Sequence, residues 1–388
     1  MTLQGNWNYP TSVKFGAGRI RELPEMVKAA GIKRPLLVTD PGLAKLPMVT
    51  NAVRANDAAG IPTAVFSDIK PNPVEKNIED GLKAFRGGKH DGVIAFGGGS
   101  ALDAGKAIAF LSGQTRPLWD FEDVGDNWTR ADPAGIRPTV AVPTTSGTGS
   151  EVGRVSVVGD EVNQKKRLIF HPRVMPVTVI EDPELTVGLP PHITAATGMD
   201  ALAHAFEAYC VPVYHPMADG VALEGMRLIK EWLPVATRDG KNIEARAHMM
   251  VAATMGATAF QKGLGAIHSL SHTVGALYDK HHGLLNAVYF PYVIEFNRAA
   301  IGDKMTHLAR FLNLPKPGVD GVLDWIMDLR KTIGIPHTLA ELNVDDSKLD
   351  KMVADSVVDP TAPTNPVHLD AKSARKLHLA ALSGRVTG

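Results

Sequence analysis

The sequence predicts an α/β domain built on a parallel sheet, followed by a domain made of helices alone. Up to about Leu185, short β-branched and apolar runs alternate with segments of helix length, as in proteins whose parallel strands are joined by helices. Beyond that point the strand signals stop and helical spacing takes over. The stretch PELTVGLPP (183–191) breaks the pattern, so the predicted domains cover residues 1–185 and 186–388.

Five segments of the first half are predicted to contain strands. The runs LLV, VIAF and VAV within them are apolar on both faces, as expected of parallel strands covered by helices. Helix-like segments at 42–59 and 74–86 separate the first three. The five segments are RPLLVTD (34–40), PTAVFSDI (62–69), DGVIAFGGGS (91–100), PTVAVPTTSGTGS (138–150) and PVTVIEDP (176–183).

The second half is rich in Ala and Met and carries apolar residues at helical spacing. Leu223, Met226 and Ile229 show the period of about 3.6 residues that marks a helix face. The Pro-rich segment DPTAPTNPVH (359–368) is too short for a linker and is predicted to be an ordered loop. The predicted helices cover residues 191–210, 215–236, 242–262, 302–313, 319–333 and 347–358.

Charge and cysteine content limit the class of protein. Lys and Arg number 41 and Asp and Glu also 41, and this balance argues against nucleic acid or an anionic membrane as the main partner. We see no signal peptide at the N-terminus and no apolar run of the length that a membrane span needs. The one cysteine, Cys210, cannot form an internal disulfide and is expected to be a small buried residue. These features predict a cytoplasmic protein.

Two glycine-rich loops follow predicted strands. In the first, Gly97, Gly98 and Gly99 would let a ligand approach the backbone, and Ser100 stands at the expected N-cap of the next helix. Alone, this loop is equally compatible with a tight turn that binds nothing, because it matches neither GxGxxG nor a P-loop. The second loop, residues 143–150, is rich in hydroxyl groups. Two such loops at strand carboxyl ends indicate a crevice for a phosphate-bearing ligand.

The strand in LLVTD ends at Asp40, which offers a carboxylate to a ribose diol. A carboxylate at this position would repel a 2′-phosphate, which favours NAD over NADP. An aspartate after a strand is also typical of a turn or a helix N-cap. Both interpretations of Asp40 remain open at the level of sequence.

Carboxylate and histidine residues recur at the spacing of one helical turn. Asp200 and His204 are four residues apart in a predicted helix, and His268 and His272 repeat that spacing. Together with the His281–His282 pair, these residues predict a site for a divalent metal. The oxygen and imidazole donors suit Fe(II) and Zn(II) about equally. Spacing alone does not select the ligands among the four later histidines.

Taken together, these motifs resemble the iron-containing (group III) alcohol dehydrogenase family over nearly the whole chain. No single motif is specific for the family on its own, but the order and spacing of the motifs along the chain are. The resemblance implies a dinucleotide-binding α/β domain and a helical domain, as in dehydroquinate synthase, with the active site between them. The matching pieces are FGAG (15–18), VTDPGL, PNP (71–73), GGGSALDAGKA, PTTSGTGSE, Lys166 ten residues before Pro176, DALAHAFEAY, GLGAIHSLSH, HHG and NP (365–366).

The resemblance assigns roles that spacing leaves open. It implies four metal ligands, Asp200, His204, His268 and His282, and it favours iron over zinc. It implies a catalytic role near the nicotinamide for His272 and gives His281 no functional role. For NAD it points to Asp40, Asn72, Gly98, Gly99, Ser100, Thr144, Thr145, Thr148 and Lys166.

The expected activity is transfer of a hydride between a small primary or secondary alcohol and NAD(H), with reduction of an aldehyde or ketone in reverse. Alternatives are a dehydroquinate synthase-like or glycerol dehydrogenase-like enzyme acting on a polyol, a metal-free reductase of the maleylacetate type, a plain metallohydrolase, and a binding protein. Relatives often carry Thr at the place of Gly153 and Phe at that of Ala259, so the substrate pocket should differ from theirs. Arg154 would face either a substrate carboxylate or solvent. A homodimer or larger homo-oligomer is expected from the family.

Overall fold

The computed structural model describes residues 11–386, which form two compact units divided between Val187 and Gly188. We call these the first and the second unit. The dividing point lies within the segment 183–191 that interrupts the strand pattern. Of the predicted domains, residues 1–10 and 387–388 lie outside the described part of the chain.

Among residues 11–187, the first unit contains a six-stranded parallel sheet, which confirms the predicted fold class. The strand order is β1-β8-β5-β4-β2-β3, and every neighbouring pair is parallel. All five predicted segments contribute a strand to it. The sheet strands are β1 (Ser12–Phe15), β2 (Pro35–Val38), β3 (Ala64–Phe66), β4 (Gly92–Gly97), β5 (Thr139–Pro143) and β8 (Thr178–Glu181), and an antiparallel hairpin is formed by β6 (Val155–Asp160) and β7 (Lys165–Phe170).

The sequence did not predict β1 or the hairpin. Strand β1 has only four residues and lies at the sheet edge. The hairpin strand β6 alternates between buried and half-buried residues, and β7 begins with the charged run Lys165–Arg167. Strands with one covered face lack the continuous apolar run by which the buried strands were recognised.

In the described part of the first unit, four α-helices accompany the sheet. The helix α4 is buried along most of its length and packs against both β4 and β6. Gly105 permits the close approach, because a Cβ there would lie 2.7 Å from the Cβ of Ala95 on β4. The helices are α1 (Leu23–Ala29), α2 (Pro47–Ala58), α3 (Glu75–Gly87) and α4 (Gly99–Leu111).

The second unit is all-helical among its described residues, as predicted. Its core surrounds α5, and almost every residue of that helix is buried. The helices are α5 (Pro191–Cys210), α6 (Pro216–Arg238), α7 (Ile243–Ala259), α8 (Ala266–Tyr278), α9 (His282–Phe311), α10 (Gly318–Thr332), α11 (Leu349–Val357) and α12 (Ala371–Ser383).

Several helix boundaries differ from the prediction. The predicted helix 302–313 is only the end of α9, which starts at His282, and α8 and α12 were not predicted. Pro291 lies inside α9, and the residues around it are buried on all sides. Such a segment has no polar face, so it shows no amphipathic period. The helix predicted to reach residue 262 ends at Ala259 and continues as one 3-10 turn.

Candidate metal site and glycine loops

Three residues from two helices of the second unit form a buried cluster. Asp200 and His204 lie one turn apart on α5, and His268 lies near the start of α8. They are 3%, 4% and 1% exposed, so the cluster is shielded from water. One ligand atom from each residue lies within 4.8 Å of the others, an arrangement suited to a metal ion.

Nitrogens of three histidines surround one carboxylate oxygen. Oδ1 of Asp200 lies 3.9 Å from Nε2 of His204, 3.9 Å from Nε2 of His268 and 3.6 Å from Nε2 of His282. Two ligands about 2.1 Å from a tetrahedral ion are about 3.4 Å apart. The separations and the donor set of one oxygen and three nitrogens therefore fit a divalent cation such as Fe(II) or Zn(II).

A glycine places His282 within reach of the cluster. His282 is the first residue of α9, and Gly283 follows it. A Cβ on Gly283 would lie 2.3 Å from the carbonyl oxygen of Ala196 and 3.0 Å from the Cβ of Asp200. Only glycine lets the first turn of α9 contact α5 this closely.

Glu207 holds His268 in place. Oε2 of Glu207 lies 2.6 Å from Nδ1 of His268, and Oε1 accepts a hydrogen bond from the backbone N–H of Ile267 at 2.6 Å. A carboxylate on one ring nitrogen fixes the tautomer and directs the other nitrogen toward a metal. Burial raises the pKa of Glu207 to about 8, against the opposing effect of the backbone N–H groups that it accepts from. A cation bound beside it would favour the charged carboxylate.

Asn286 connects α9 to the same cluster. Its Nδ2 donates to Oδ1 of Asp200 at 2.8 Å and lies 3.2 Å from Nε2 of His282 and 3.3 Å from Nε2 of His268. Its Oδ1 accepts from the hydroxyl of Ser271. The amide therefore contacts three of the four predicted ligands.

His272 lies beside the cluster with a partner of its own. Its ring stacks on that of His282 with centroids 5.0 Å apart. Its Nδ1 lies 3.0 Å from Oδ2 of Asp359, whose other oxygen accepts from the backbone N–H and the hydroxyl of Thr361. His281 is exposed and precedes α9. The ring of Phe260 contacts that of His204, with centroids 5.0 Å apart.

Sequence reasoning missed Glu207, Asn286 and Asp359. A signal existed for the first two, because Glu207 is three residues after His204 and Asn286 is four residues after His282, each on one helix face. No local signal pointed to Asp359, which is 87 residues from His272. Cys210 is buried and forms no disulfide, as expected.

The two glycine loops of the first unit contact each other. The N–H of Thr144 donates to the carbonyl of Gly97 at 3.0 Å. A Cβ on Gly98 would lie 3.3 Å from Cγ2 of Thr145, and one on Gly99 would lie 2.5 Å from Oγ1 of Thr148. The loops that follow β4 and β5 thus lie directly against each other.

The prediction that Ser100 caps α4 is wrong. Gly98 is the N-cap, with extended backbone angles, and Ser100 is the second residue of the helix. Glycine lacks the Cβ that would contact the neighbouring loop, so the helix starts within the glycine run rather than after it. Gly97 precedes it with a φ of 149°, a value that L side chains rarely adopt.

The other predicted cofactor residues lie on neighbouring segments. Asp40 forms a turn, since its Oδ1 accepts from the N–H groups of Gly42 at 2.9 Å and Leu43 at 3.0 Å. Asn72 adopts a left-handed backbone with φ 53°. Lys166 on β7 pairs with Gly159 on β6, and Gly159 donates its N–H to the carbonyl of Pro73 at 2.8 Å. The segments of Asn72 and Lys166 are therefore adjacent.

Known proteins resemble both units. The family model of iron-containing alcohol dehydrogenase matches residues 10–183, and that of the family's C-terminal region matches residues 194–382. The 4-hydroxybutyrate dehydrogenase of Cupriavidus necator is 38% identical over 379 residues, 95% of this chain and 97% of that protein. None of the helices within residues 11–386 combines the length and the apolar character that a membrane span requires.

Solved structures share the fold. A 1,3-propanediol oxidoreductase has a TM-score of 0.93 at 33% identity and covers 98% of this chain and 100% of its own. The sulfoacetaldehyde reductase of Bifidobacterium kashiwanohense, solved in complex with NAD+, has a TM-score of 0.89 at 30% identity and covers 98% and 100%.

The matches confirm the predicted activity class. The chain is an NAD-dependent oxidoreductase that acts on an alcohol, or on an aldehyde or ketone in reverse. A plain hydrolase or a binding protein would not account for dehydrogenase relatives that span both units. From its sequence, fold and buried carboxylate–histidine cluster, the chain belongs to the iron-containing alcohol dehydrogenase family.

Proposed function

We propose that Asp200, His204, His268 and His282 hold one divalent cation, Fe(II) in preference to Zn(II), and that the alcohol reacts beside it. The observation that carries the proposal is the convergence of three Nε2 atoms on Oδ1 of Asp200, where Asp200, His204 and His268 are buried and His282 is partly exposed. When bound, such a cation supplies Lewis-acid stabilisation of negative charge on an oxygen atom.

The neighbouring side chains have separable tasks in this proposal. Glu207 keeps Nε2 of His268 directed into the cluster by holding Nδ1. Asp359 favours the tautomer of His272 that carries its proton on Nδ1, which leaves Nε2 as the proton acceptor. His272 would then receive the proton that the alcohol loses, which is general base catalysis.

For the cofactor, we assign NAD to the first unit, within the predicted domain 1–185, and the metal to the second, within 186–388. The N–H groups at the start of α4 and the glycines of the first loop would receive the pyrophosphate. The two loops together would include Gly98, Gly99, Ser100, Thr144, Thr145 and Thr148. Asp40 would accept from a ribose hydroxyl through Oδ2, since Oδ1 accepts from the turn. Asn72 and Lys166 would contact the cofactor from their adjacent segments.

For the substrate, we propose a short primary alcohol with a second polar group at the far end, such as a hydroxy acid or a diol. The support is the resemblance to dehydrogenases of 4-hydroxybutyrate and 1,3-propanediol. We do not assign Arg154 to a substrate carboxylate, because its guanidinium lies over the ring of Phe170, 5.6 Å from the centroid. A polyol, as in glycerol dehydrogenase, is the alternative that the same assay tests.

The metal assignment is tested by comparing wild type with His268→Ala and with His192→Ala. His192 lies on α5 but is exposed, so it serves as the matched control. Metal content measured by mass spectrometry and NADH formation at 340 nm should both be lost in His268→Ala and retained in His192→Ala. Full turnover by metal-free His268→Ala would refute the assignment.

The substrate proposal is tested by measuring kcat/KM with NAD on 4-hydroxybutyrate, 1,3-propanediol, 1-butanol and glycerol after loading with Fe(II) or Zn(II). We expect kcat/KM for 4-hydroxybutyrate and 1,3-propanediol to exceed that for 1-butanol, and a higher value for 1-butanol or glycerol would overturn the proposal.

We further propose that the protein is a cytoplasmic homodimer or larger homo-oligomer. Light scattering after gel filtration tests the oligomeric state, and cell fractionation tests the location.

A further inference from the structure

A buried ion pair on α4 has no part in the assignments above. Asp103 and Lys106 lie one turn apart and are 6% and 1% exposed. Oδ1 of Asp103 lies 3.3 Å from Nζ of Lys106. A buried lysine is costly unless its charge and its donors are satisfied, so its partners indicate what the pair stabilises.

The partners of Lys106 are backbone carbonyls on either side of one short segment. Its Nζ donates to the carbonyl of Ser150 at 2.8 Å and to that of Val155. Ser150 is the last residue of the second glycine loop, and Val155 is the first residue of β6. The segment between them bends around the amine, and a Cβ on Gly153 would lie 3.9 Å from Nζ.

Asp103 holds the same segment through three further hydrogen bonds. Its Oδ1 accepts from the hydroxyl of Ser150 at 2.5 Å, and its Oδ2 accepts from the N–H of Val157 at 3.2 Å. Its backbone carbonyl accepts from the hydroxyl of Ser156 at 3.0 Å. One turn of α4 therefore binds residues 150–157 through five hydrogen bonds.

The turn of α4 that carries Asp103 and Lys106 provides a second contact between the two glycine loops. In the first contact, at the start of α4, Thr144 bonds to Gly97 and Thr148 contacts Gly99. Helix α4 leaves the first loop at Gly99, and the second loop ends at Ser150. The second loop is therefore held against the first near its start, at Thr144, and is bound to α4 at its end, at Ser150.

We propose that Asp103 and Lys106 are positioning residues for the cofactor, which keep the two loops at the spacing that NAD requires before it binds. The inference rests on the proposed assignment of these loops to NAD. A pair of packed apolar residues would stabilise the helix as well as a buried ion pair does. Unlike apolar packing, the pair forms directional hydrogen bonds, and these hold the backbone groups of residues 150–157 in one arrangement.

The experiment compares Lys106→Met, Lys106→Arg, Asp103→Asn and Ser150→Ala with wild-type holoenzyme. Ser150→Ala removes one hydrogen bond with little change in volume, so it keeps the test informative if a charge variant does not fold. Dissociation constants for NADH are measured by quenching of tryptophan fluorescence, alongside kcat, KM for NAD, melting temperature and metal content.

We expect Lys106→Met and Asp103→Asn to raise both the dissociation constant for NADH and KM for NAD about 10- to 100-fold, as a small misplacement of binding groups does. Ser150→Ala should raise them less, and Lys106→Arg should restore part of the loss. The metal content should not change, because the metal cluster lies in the second unit. A role in stability alone would lower the melting temperature and the active fraction but leave KM for NAD unchanged, which would overturn the inference.

Two controls distinguish this inference from the assignment of NAD to the glycine loops, on which it rests. Gly99→Val places a side chain against Thr148 and tests the loops directly. If Gly99→Val binds NADH like wild type, the assignment of NAD to the loops is wrong. If Gly99→Val binds weakly while Lys106→Met, Asp103→Asn and Ser150→Ala bind like wild type, only the positioning role is wrong. Arg116→Met, which removes an exposed ion pair with Asp120 in the same unit, should bind NADH normally.

Discussion

Oδ2 of Asp359 lies 3.0 Å from Nδ1 of His272, although 87 residues separate the two in sequence. Burial disfavours the charged carboxylate, but the charge and hydrogen bond of His272 and the hydrogen bonds of Thr361 outweigh it, so the pKa of Asp359 is lowered. The ionised carboxylate of Asp359 therefore makes its full contribution to the free energy of unfolding above about pH 4. That contribution is lost only as the pH falls through the lowered pKa. At neutral pH, Asp359 is charged and its Oδ2 accepts a hydrogen bond from Nδ1 of His272.

Replacing Asp359 with Asn should lower kcat about 10- to 100-fold with the metal retained, as expected when the partner of a functional histidine is lost. The amide can donate to His272 and so no longer favours one tautomer. Steady-state kinetics and metal analysis measure the effect. Asp350→Asn is the control, since Asp350 on α11 has a 92% exposed side chain. Wild-type kcat in Asp359→Asn would contradict the role of the pair.

Replacing Glu207 with Gln should weaken metal binding about 10- to 100-fold, because Nδ1 of His268 loses its charged acceptor. Competition with a chelator, followed by metal analysis, measures the affinity. Glu244→Gln on α7 alters an exposed glutamate and should bind metal like wild type. Equal affinities for both variants would mean that Glu207 does not support the cluster.

Replacing Gly283 with Ala should destabilise the second unit by about 1–3 kcal/mol, a typical cost of overpacking. The new Cβ would meet the carbonyl of Ala196 at 2.3 Å and separate α9 from α5. Because His282 precedes it, the metal content should fall as well. Urea denaturation and metal analysis test both effects. Gly302→Ala is the control in the same helix, where a Cβ would meet nothing within 4 Å.

His378 should make the second unit less stable in acid. Burial lowers the pKa of His378 to about 3, whereas an unfolded histidine titrates near 6.5. Between these values only the unfolded state binds the proton, so the free energy of unfolding should fall as the pH drops from about 6.5. One such group contributes at most about 1.4 kcal/mol per pH unit.

The role of His378 is tested by measuring how the urea midpoint of wild type and of the variants changes between pH 7 and pH 5. His378→Gln should be less stable at pH 7, because the contacts of His378 with Tyr289 and Ser356 are altered. Its midpoint should nevertheless depend less steeply on pH than that of wild type. His368→Gln changes an exposed histidine and should keep the wild-type slope. Identical slopes for His378→Gln and wild type would exclude His378 as the source.

Local sequence patterns predicted the order of the two units, the buried strands and the glycine loops. These features follow from periods of 2 and 3.6 residues and from glycine, which act over a few residues. They failed where a segment has no polar face, as around Pro291 in α9, and where a strand has a charged start, as at Lys165.

The sequence by itself predicted that Asp200 and His204 share one helix face, because helix geometry decides which residues lie one turn apart. It also showed His268 and His272 four residues apart, but the helix α8 that carries them was not predicted. Only the tertiary structure decided which groups support them. The contact of Glu207 with His268 spans 61 residues, and that of Lys106 with Ser150 spans 44. Such contacts depend on how whole helices and loops pack, and no local period records that packing.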